Sequence, residues 1–243
     1  DRQDHAQHEA QNGTHCAFGK PATNRRLTVG ACCLTLGATY REVMMKKLAF
    51  VLGVMALPLS AAADPVGLTP DMLSATVPTP SGMVEIMRNQ DNAARLEGDW
   101  TLTSRPCPNF CIQPMVPAPG VTPIGELEVI AALQDPDTVV ADGRIRAEFE
   151  AGTIPGAVTV PYTEAADRLG ELGCAPDFDG WICEGELKKV VLFCNGPWCG
   201  QSPTAARRMI EAGFPAENIS YYRGGMQNWQ GLGLTVVPGG AGG

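Results

Sequence analysis

The sequence predicts an α/β protein, a parallel sheet covered by helices on both faces and preceded by an irregular, proline-rich, disulfide-bearing arm. Three observations predict it. From residue 124 onward, short β-branched and apolar runs alternate with stretches of helical period, as in a buried parallel sheet. One of these runs, residues 189–194, leads into a tight loop and then a sharply delimited helix. From Asp64 to Pro123, by contrast, proline interrupts the chain and neither period is sustained.

The chain ahead of the arm reads as a targeting segment. Met44-Met45-Lys46-Lys47 is charged, residues 48–59 are mostly apolar, and Ser60-Ala61-Ala62-Ala63 supplies small residues, so residues 44–63 have the three parts of a signal peptide. The apolar run falls short of the roughly 20 residues a membrane span needs. Cleavage is expected after Ala63, giving a periplasmic or secreted protein with no membrane association afterwards. Residues 1–43 are polar and irregular, with Cys16 and a Cys32-Cys33 pair, and are expected to be a non-native upstream extension.

Residues 64–123 are expected to form the arm and 124–243 the domain. Within the arm, residues 83–87 form a short strand or a turn of helix, and residues 116–123 read as a linker. Leu127, Ile130 and Leu133 give residues 125–133 a helical stripe. Residues 138–141 are a β-branched strand ending at Asp142, and 146–151 make a helical turn or two stopped by Gly152. Residues 157–160 form a strand closed by Pro161, followed by a helix over 163–172. After the strand at 189–194 come a helix over 203–212, a strand over 219–222 and a last helical turn over 226–231. In the 203–212 helix, Ser202 is the expected N-cap and Pro203 suits the first helical position. Gly213 is the expected left-handed stop, with Phe214 folding back on Met209. Ala205, Ala206, Met209 and Ile210 supply the buried face, while Arg207, Arg208 and Glu211 stay in solvent.

Charge excludes some partners. The 26 acids and 18 bases of the chain include four acids and seven bases ahead of Asp64, leaving 22 and 11 beyond it, a formal charge of −11. Nucleic acids and anionic membranes are bound through Lys/Arg patches, so neither is an expected partner. A protein partner is not specified by the sequence.

Six cysteines lie beyond Ala63 and fall into three local pairs. In an exported chain an even count reads first as disulfides. Cys174 and Cys183 flank a turn-rich insertion that a bridge would staple, and Cys107 and Cys111 sit in the proline-rich arm. Both pairs are expected to be structural bridges, with redox exchange the alternative for the second. The C-x3-C and C-x4-C spacings differ from the usual zinc knuckles, so no metal and no cofactor is expected.

The third pair, Cys194 and Cys199, carries the chemistry. A cysteine ending a strand just before a helix N-terminus faces backbone N–H groups and the positive end of the helix dipole, which favours a thiolate. All three histidines precede the expected cleavage site, which removes a Cys–His pair from the mature protein. A wide-loop phosphatase would close an arginine around phosphate, and Gln201 stands in that neighbourhood instead.

The block from Thr138 onward resembles the rhodanese (sulfurtransferase) family. The resemblance rests on Val140-Ala-Asp142-Gly-Arg144, on Glu148-Phe149-x-x-Gly152-Thr-Ile154-Pro155-Gly156-Ala157-Val-x-Val160-Pro161, on the strand-ending Cys194, on Ala205 and Gly213-Phe214, and on Arg223-Gly224-Gly225-Met226-x-x-Trp229. It implies a doubly wound domain with a central parallel sheet. It also implies a loop cysteine, Cys194 by position, that takes sulfane sulfur as a persulfide and passes it to a thiophilic acceptor. Asp142 and Arg144 correspond to structural supports.

The loop itself departs from the family. Seven residues, Asn195 to Gln201, separate Cys194 from Ser202 where five are usual, and none is Arg or Lys. Asn195, Gly196, Trp198, Gly200, Gln201 and Ser202 are the expected anion cradle, held by main-chain N–H groups. Trp198 is expected at the rim, and Cys199 as a resolving thiol for a persulfide or sulfenate on Cys194. Two functions follow. One is an exported sulfurtransferase taking sulfur from a small donor anion or persulfide to a thiol or cyanide acceptor. The other is a catalytically inactive module with a Cys194–Cys199 disulfide, serving partner binding or thiol redox chemistry.

Overall fold

A computed structural model describes residues 64–240; the expected signal peptide, its expected cleavage site and the expected upstream extension lie outside the described residues. The centre is a five-stranded, all-parallel sheet. Its strands are β3 (Thr122–Pro123), β4 (Thr138–Asp142), β5 (Val158–Thr159), β8 (Lys189–Phe193) and β9 (Ile219–Tyr222), in the order β3-β9-β8-β4-β5. β4 and β8 pair in register from Thr138–Lys189 to Asp142–Phe193. The chain moves outward from β4 to β5 on one side and from β8 through β9 on the other. The order therefore reverses between β4 and β8, and the carboxyl ends of these two strands flank the crevice where open α/β sheets bind ligands.

Alternating residues of the strands supply two cores. Val140, Val191, Phe193 and Tyr222 face one side, where they pack with Val129, Ile130 and Leu133 of α1 (Glu126–Gln134) and with Met226 and Trp229 of α4 (Gly225–Gly231). Ala141, Val190, Leu192, Ile219 and Tyr221 face the other side. Their partners are Leu169 and Leu172 of the 3-10 helix Ala165–Leu172 and Ala205, Ala206 and Met209 of α3 (Gln201–Glu211). The doubly wound α/β architecture expected from the sequence is present.

Several local expectations need correction. In α1, Ile130 and Leu133 are buried as expected and Val129 joins them, while Leu127 in the first turn is 45 % exposed. The arm is more ordered than its prolines suggest. β1 (Ser74–Thr79) and β2 (Gly82–Met87) form an antiparallel hairpin whose Ala75, Val77 and Ile86 enter the first core. Pro78 is tolerated because this hairpin is a two-stranded sheet of its own, with free edges. β3, inside the stretch assigned to the arm, is an edge strand of the central sheet.

α3 begins at Gln201, with Gly200 at the N-cap and Ser202 buried inside the first turn. Pro203 therefore sits at the third helical position, where an N–H would still lack an intrahelical partner. The end of α3 is as predicted. Gly213 has φ +97°, its N–H donates to the Ile210 carbonyl at 3.0 Å, and the Phe214 N–H donates to the Met209 carbonyl at 2.9 Å. Both expected bridges, Cys107–Cys111 and Cys174–Cys183, are formed. The second spans the hairpin of β6 (Ala175–Asp177) and β7 (Gly180–Ile182).

Candidate functional site

Two strand ends build the floor of the site. β4 ends on Asp142, and Gly143 follows with its N–H donating to the Phe193 carbonyl at 2.8 Å, which locks the β4 exit against the β8 exit. Arg144 then turns back. Its Nε lies 2.9 Å from Asp142 Oδ1, and one terminal nitrogen lies 2.6 Å from Oδ2 and 2.6 Å from the Gly152 carbonyl. Both residues are almost wholly buried, and Thr153 Oγ1 donates to Asp142 at 2.8 Å. A bidentate, fully hydrogen-bonded pair of this kind fixes geometry. Its hold on the loop is the contact from Arg144 to Asn195 Oδ1 at 3.5 Å.

The loop after β8 is held from beneath by the start of α4. The Met226 N–H donates to the Cys194 carbonyl at 3.0 Å and the Gln227 N–H to the Asn195 carbonyl at 2.8 Å. Gly225 makes this approach possible, since it has φ +55° and a Cβ there would collide with the Cys194 carbonyl oxygen. The loop then turns back on itself through the Cys199 N–H, which donates to the Gly196 carbonyl at 2.9 Å.

The two loop cysteines are free thiols with unlike surroundings. Cys194 is 2 % exposed and its Sγ lies 3.3 Å from the Cys199 carbonyl oxygen. Burial pushes its thiol well up, and the neighbouring Cys199 adds to this, while the backbone N–H and hydroxyl of Ser202 beside the sulfur act in the opposite direction. The thiolate expected at Cys194 is therefore not favoured in the resting site: helix N-terminus donors are present, but desolvation outweighs them. Cys199 is pulled down instead, first by hydrogen bonding with the Cys194 thiol and then, against its own burial, by the backbone N–H groups of Gln201 and Asn195; the Glu148 carboxylate opposes them. Its Sγ also meets Gln201 Oε1 at 3.3 Å.

A cleft of about 500 Å³ opens over the loop, and its wall includes Cys199 but not Cys194. Asn195, Trp198, Gly200 and Gln201 of the expected cradle line it, together with Arg144; Gly196 and Ser202 do not. The opposite wall comes from the arm, through Asp99, Trp100, Arg105, Asn109 and Phe110. The Cys107–Cys111 bridge encloses Phe110, whose ring lies 4.8 Å from that of Trp198, and the Arg105 guanidinium sits 4.8 Å over Trp198 and 4.9 Å over Phe110. Backbone hydrogen bonds seat the arm: the Gln113 N–H donates to the Pro197 carbonyl at 2.8 Å, and Arg223 Nε donates to the Gln113 carbonyl at 2.9 Å. Trp198 is thus a half-buried wall rather than a bare rim contact, and the cation missing from the loop is supplied from roughly 90 residues upstream.

Glu148 of α2 (Arg146–Ala151) completes the cleft. Its Oε1 accepts from Asn195 Nδ2 at 2.8 Å, while Oε2 has no partner among the described residues. Sequence reasoning took Glu148 as part of a fold motif and missed it as a site residue. It had no signal for Arg105 or Phe110, because only the folded arm brings them to the loop. Cys174 and Cys183 do not line the cleft; they brace the β6–β7 hairpin. Among the described residues, no group of three or more His, Cys, Asp or Glu is placed to hold a metal ion, and no helix is long and apolar enough to cross a membrane.

Comparison with known proteins finds several that are similar to part of this chain. A transcriptional regulator of the HTH type from Mycobacterium tuberculosis is 31 % identical over 116 residues, which cover 48 % of this chain and 45 % of the regulator, so the chain spans less than half of that relative. Among solved structures, a thiosulfate sulfurtransferase from Pseudomonas aeruginosa matches 49 % of this chain and 20 % of its own at 25 % identity, with a TM-score of 0.37. A rhodanese-related protein from Thermoplasma volcanium matches 48 % of this chain and 97 % of its own at 24 % identity, with a TM-score of 0.34. The family described as Rhodanese-like domain matches residues 127–232, which span α1 to α4 and contain both thiols of the site. The chain carries a rhodanese-like domain at residues 127–232.

Proposed function

We propose that the protein is an exported sulfurtransferase that moves sulfane sulfur as a persulfide formed in the 194–202 loop. The observation that carries this reading is the pair of free thiols at the carboxyl end of β8, held against the N-terminus of α3 and opening on a cleft. Without a histidine among the described residues, the main chain and the neighbouring thiol are left to stabilise the sulfur anion. Cys199 is among the residues lining the cleft and Cys194, the persulfide site by family position, is not, so the reading rests on the pair rather than on Cys194 alone. The donor is a small sulfur anion or persulfide and the acceptor a thiol or cyanide. Export to the periplasm or outside the cell is supported by the two structural disulfides.

Thiocyanate formation from cyanide tests the function, with thiosulfate and with cysteine persulfide as donors under reducing conditions. The wild-type protein should turn over with at least one donor, and the double variant Cys194→Ser, Cys199→Ser should be inert. Equal inertness of both proteins with both donors would overturn the reading. The alternative, a binding or thiol-redox module, would then stand; the deep burial of Cys194 is the observation in its favour.

A further inference from the structure

The cleft is lined by one of the two loop cysteines. Cys199, itself only 4 % exposed, is among the residues lining it, while Cys194, 2 % exposed, is not, and the Cys194 sulfur lies against the Cys199 carbonyl. A thiol that attacks a sulfur compound needs access and anionic character; a thiol that resolves needs neither until the first has reacted. Cys199 therefore stands where the attacking thiol is needed, the reverse of the roles expected from the sequence.

The lining also selects the ligand. The arm contributes a cation, Arg105, stacked on two aromatic rings, and Arg105 Nε is buried without a hydrogen-bond partner. Close by, Asp99 and the unpartnered Glu148 Oε2 contribute negative charge. Arg144 is already engaged by Asp142. A wall carrying both signs disfavours a compact dianion and suits a small zwitterion, whose carboxylate meets Arg105 and whose ammonium meets Glu148 or Asp99.

We propose that the Cys194–Cys199 pair reduces small zwitterionic persulfides, with Cys199 as the attacking thiol and Cys194 as the resolving thiol. The inference rests on the sulfane-sulfur reading above and adds a fate for the sulfur. The Cys199 thiolate attacks the outer sulfur of R–S–SH. That S–S bond breaks, R–S⁻ leaves and takes a proton, and Cys199 becomes a persulfide. Cys194 then attacks the Cys199 Sγ, the Cys199 S–SH bond breaks, and HS⁻ leaves with the Cys194 proton as hydrogen sulfide. The two thiols supply the two electrons that reduce sulfane sulfur to sulfide, and they end as a Cys194–Cys199 disulfide. An external dithiol reductant returns the pair to its starting state.

The test uses the purified protein with thiols 194 and 199 reduced, cysteine persulfide as the probe, alkylation to trap intermediates, and peptide mass analysis. Wild type should release sulfide in proportion to the Cys194–Cys199 disulfide formed. Cys194→Ser should stop at a Cys199 peptide one sulfur atom heavier, with loss of sulfide release. Cys199→Ser should lose both sulfur uptake at Cys194 and sulfide release, while its thermal unfolding matches wild type; Cys199→Ala serves if the serine variant unfolds. Uptake on Cys194 in Cys199→Ser, as fast as uptake on Cys199 in Cys194→Ser, would overturn the order of attack and leave sulfur transfer standing. Failure of wild type and both single variants to take sulfur from cysteine persulfide or thiosulfate would remove the transfer reading itself.

Discussion

At the scale of single residues, charge placed beside Cys199 sets when the site is reactive. Glu148 faces Cys199 and opposes its ionisation, so Glu148→Gln removes a negative charge and should move the thiol further down. Sign follows directly: below the wild-type transition, more of Cys199 is thiolate in the variant, and alkylation by iodoacetamide should be faster at the same pH. A pH profile of alkylation checks this, and a profile unmoved or shifted upward would show that Glu148 does not act on Cys199. The Asp142–Arg144 pair plays a different part, since its side chains are 0 % and 3 % exposed and its short contacts are to the fold, the 3.5 Å contact to Asn195 alone reaching the loop. Asp142→Asn leaves the guanidinium buried without its counter-charge. Breaking such a pair costs about 3–5 kcal/mol, and urea unfolding should show a loss of that order; a loss within the ordinary scatter of surface variants would mean the pair is dispensable.

At the scale of elements, the strand and helix ends decide where chemistry is placed. β4 and β8 are central, in register, and exit together, so the Asp142–Arg144 turn and the Cys194 loop meet without any contribution from loop sequence. The sequence made this visible, because both runs are β-branched and end on polar residues. The exact start of α3 was not visible: Ser202 and Pro203 satisfy the rules for a cap and first turn, yet Gly200 takes the cap and Ser202 is drawn under the loop. Loop burial has no period to read, and both Cys194 and Cys199 are buried. The β6–β7 hairpin shows the opposite case, where two cysteines flanking a turn-rich insertion announced the bridge. Closing a loop of this length contributes roughly 2–3 kcal/mol through chain entropy. The double variant Cys174→Ala, Cys183→Ala should lower stability by that amount in denaturant unfolding while sulfur uptake persists. Unchanged stability would make the bridge ornamental to folding.

At the scale of the whole molecule, the arm is part of the domain it precedes. A proline-rich stretch with two short runs of β-formers gave no sequence reason to expect core residues, because its partners lie across the fold: Met87 exchanges hydrogen bonds with Thr235, and Gln227 Nε2 donates to the Trp100 carbonyl at 2.8 Å. Val77 and Ile86 are both 0 % exposed in the core that α1 and α4 share. Fully burying two such side chains is worth about 3–6 kcal/mol, a large share of the 5–15 kcal/mol that typically separates a domain from its unfolded state. Edge strand β3 and the seat of Gln113 on the loop add backbone hydrogen bonds to that dependence. A fragment beginning at Ile124 is therefore expected to lose most of its cooperative unfolding transition and the protection of its β8 and β9 amides in hydrogen exchange. Restoring residues 64–123 as a separate chain should recover part of that protection. A fragment that unfolds at the same denaturant midpoint as residues 64–243 would show instead that the segment from α1 to α4 folds on its own, and that the Cys107–Cys111 loop only covers the cleft.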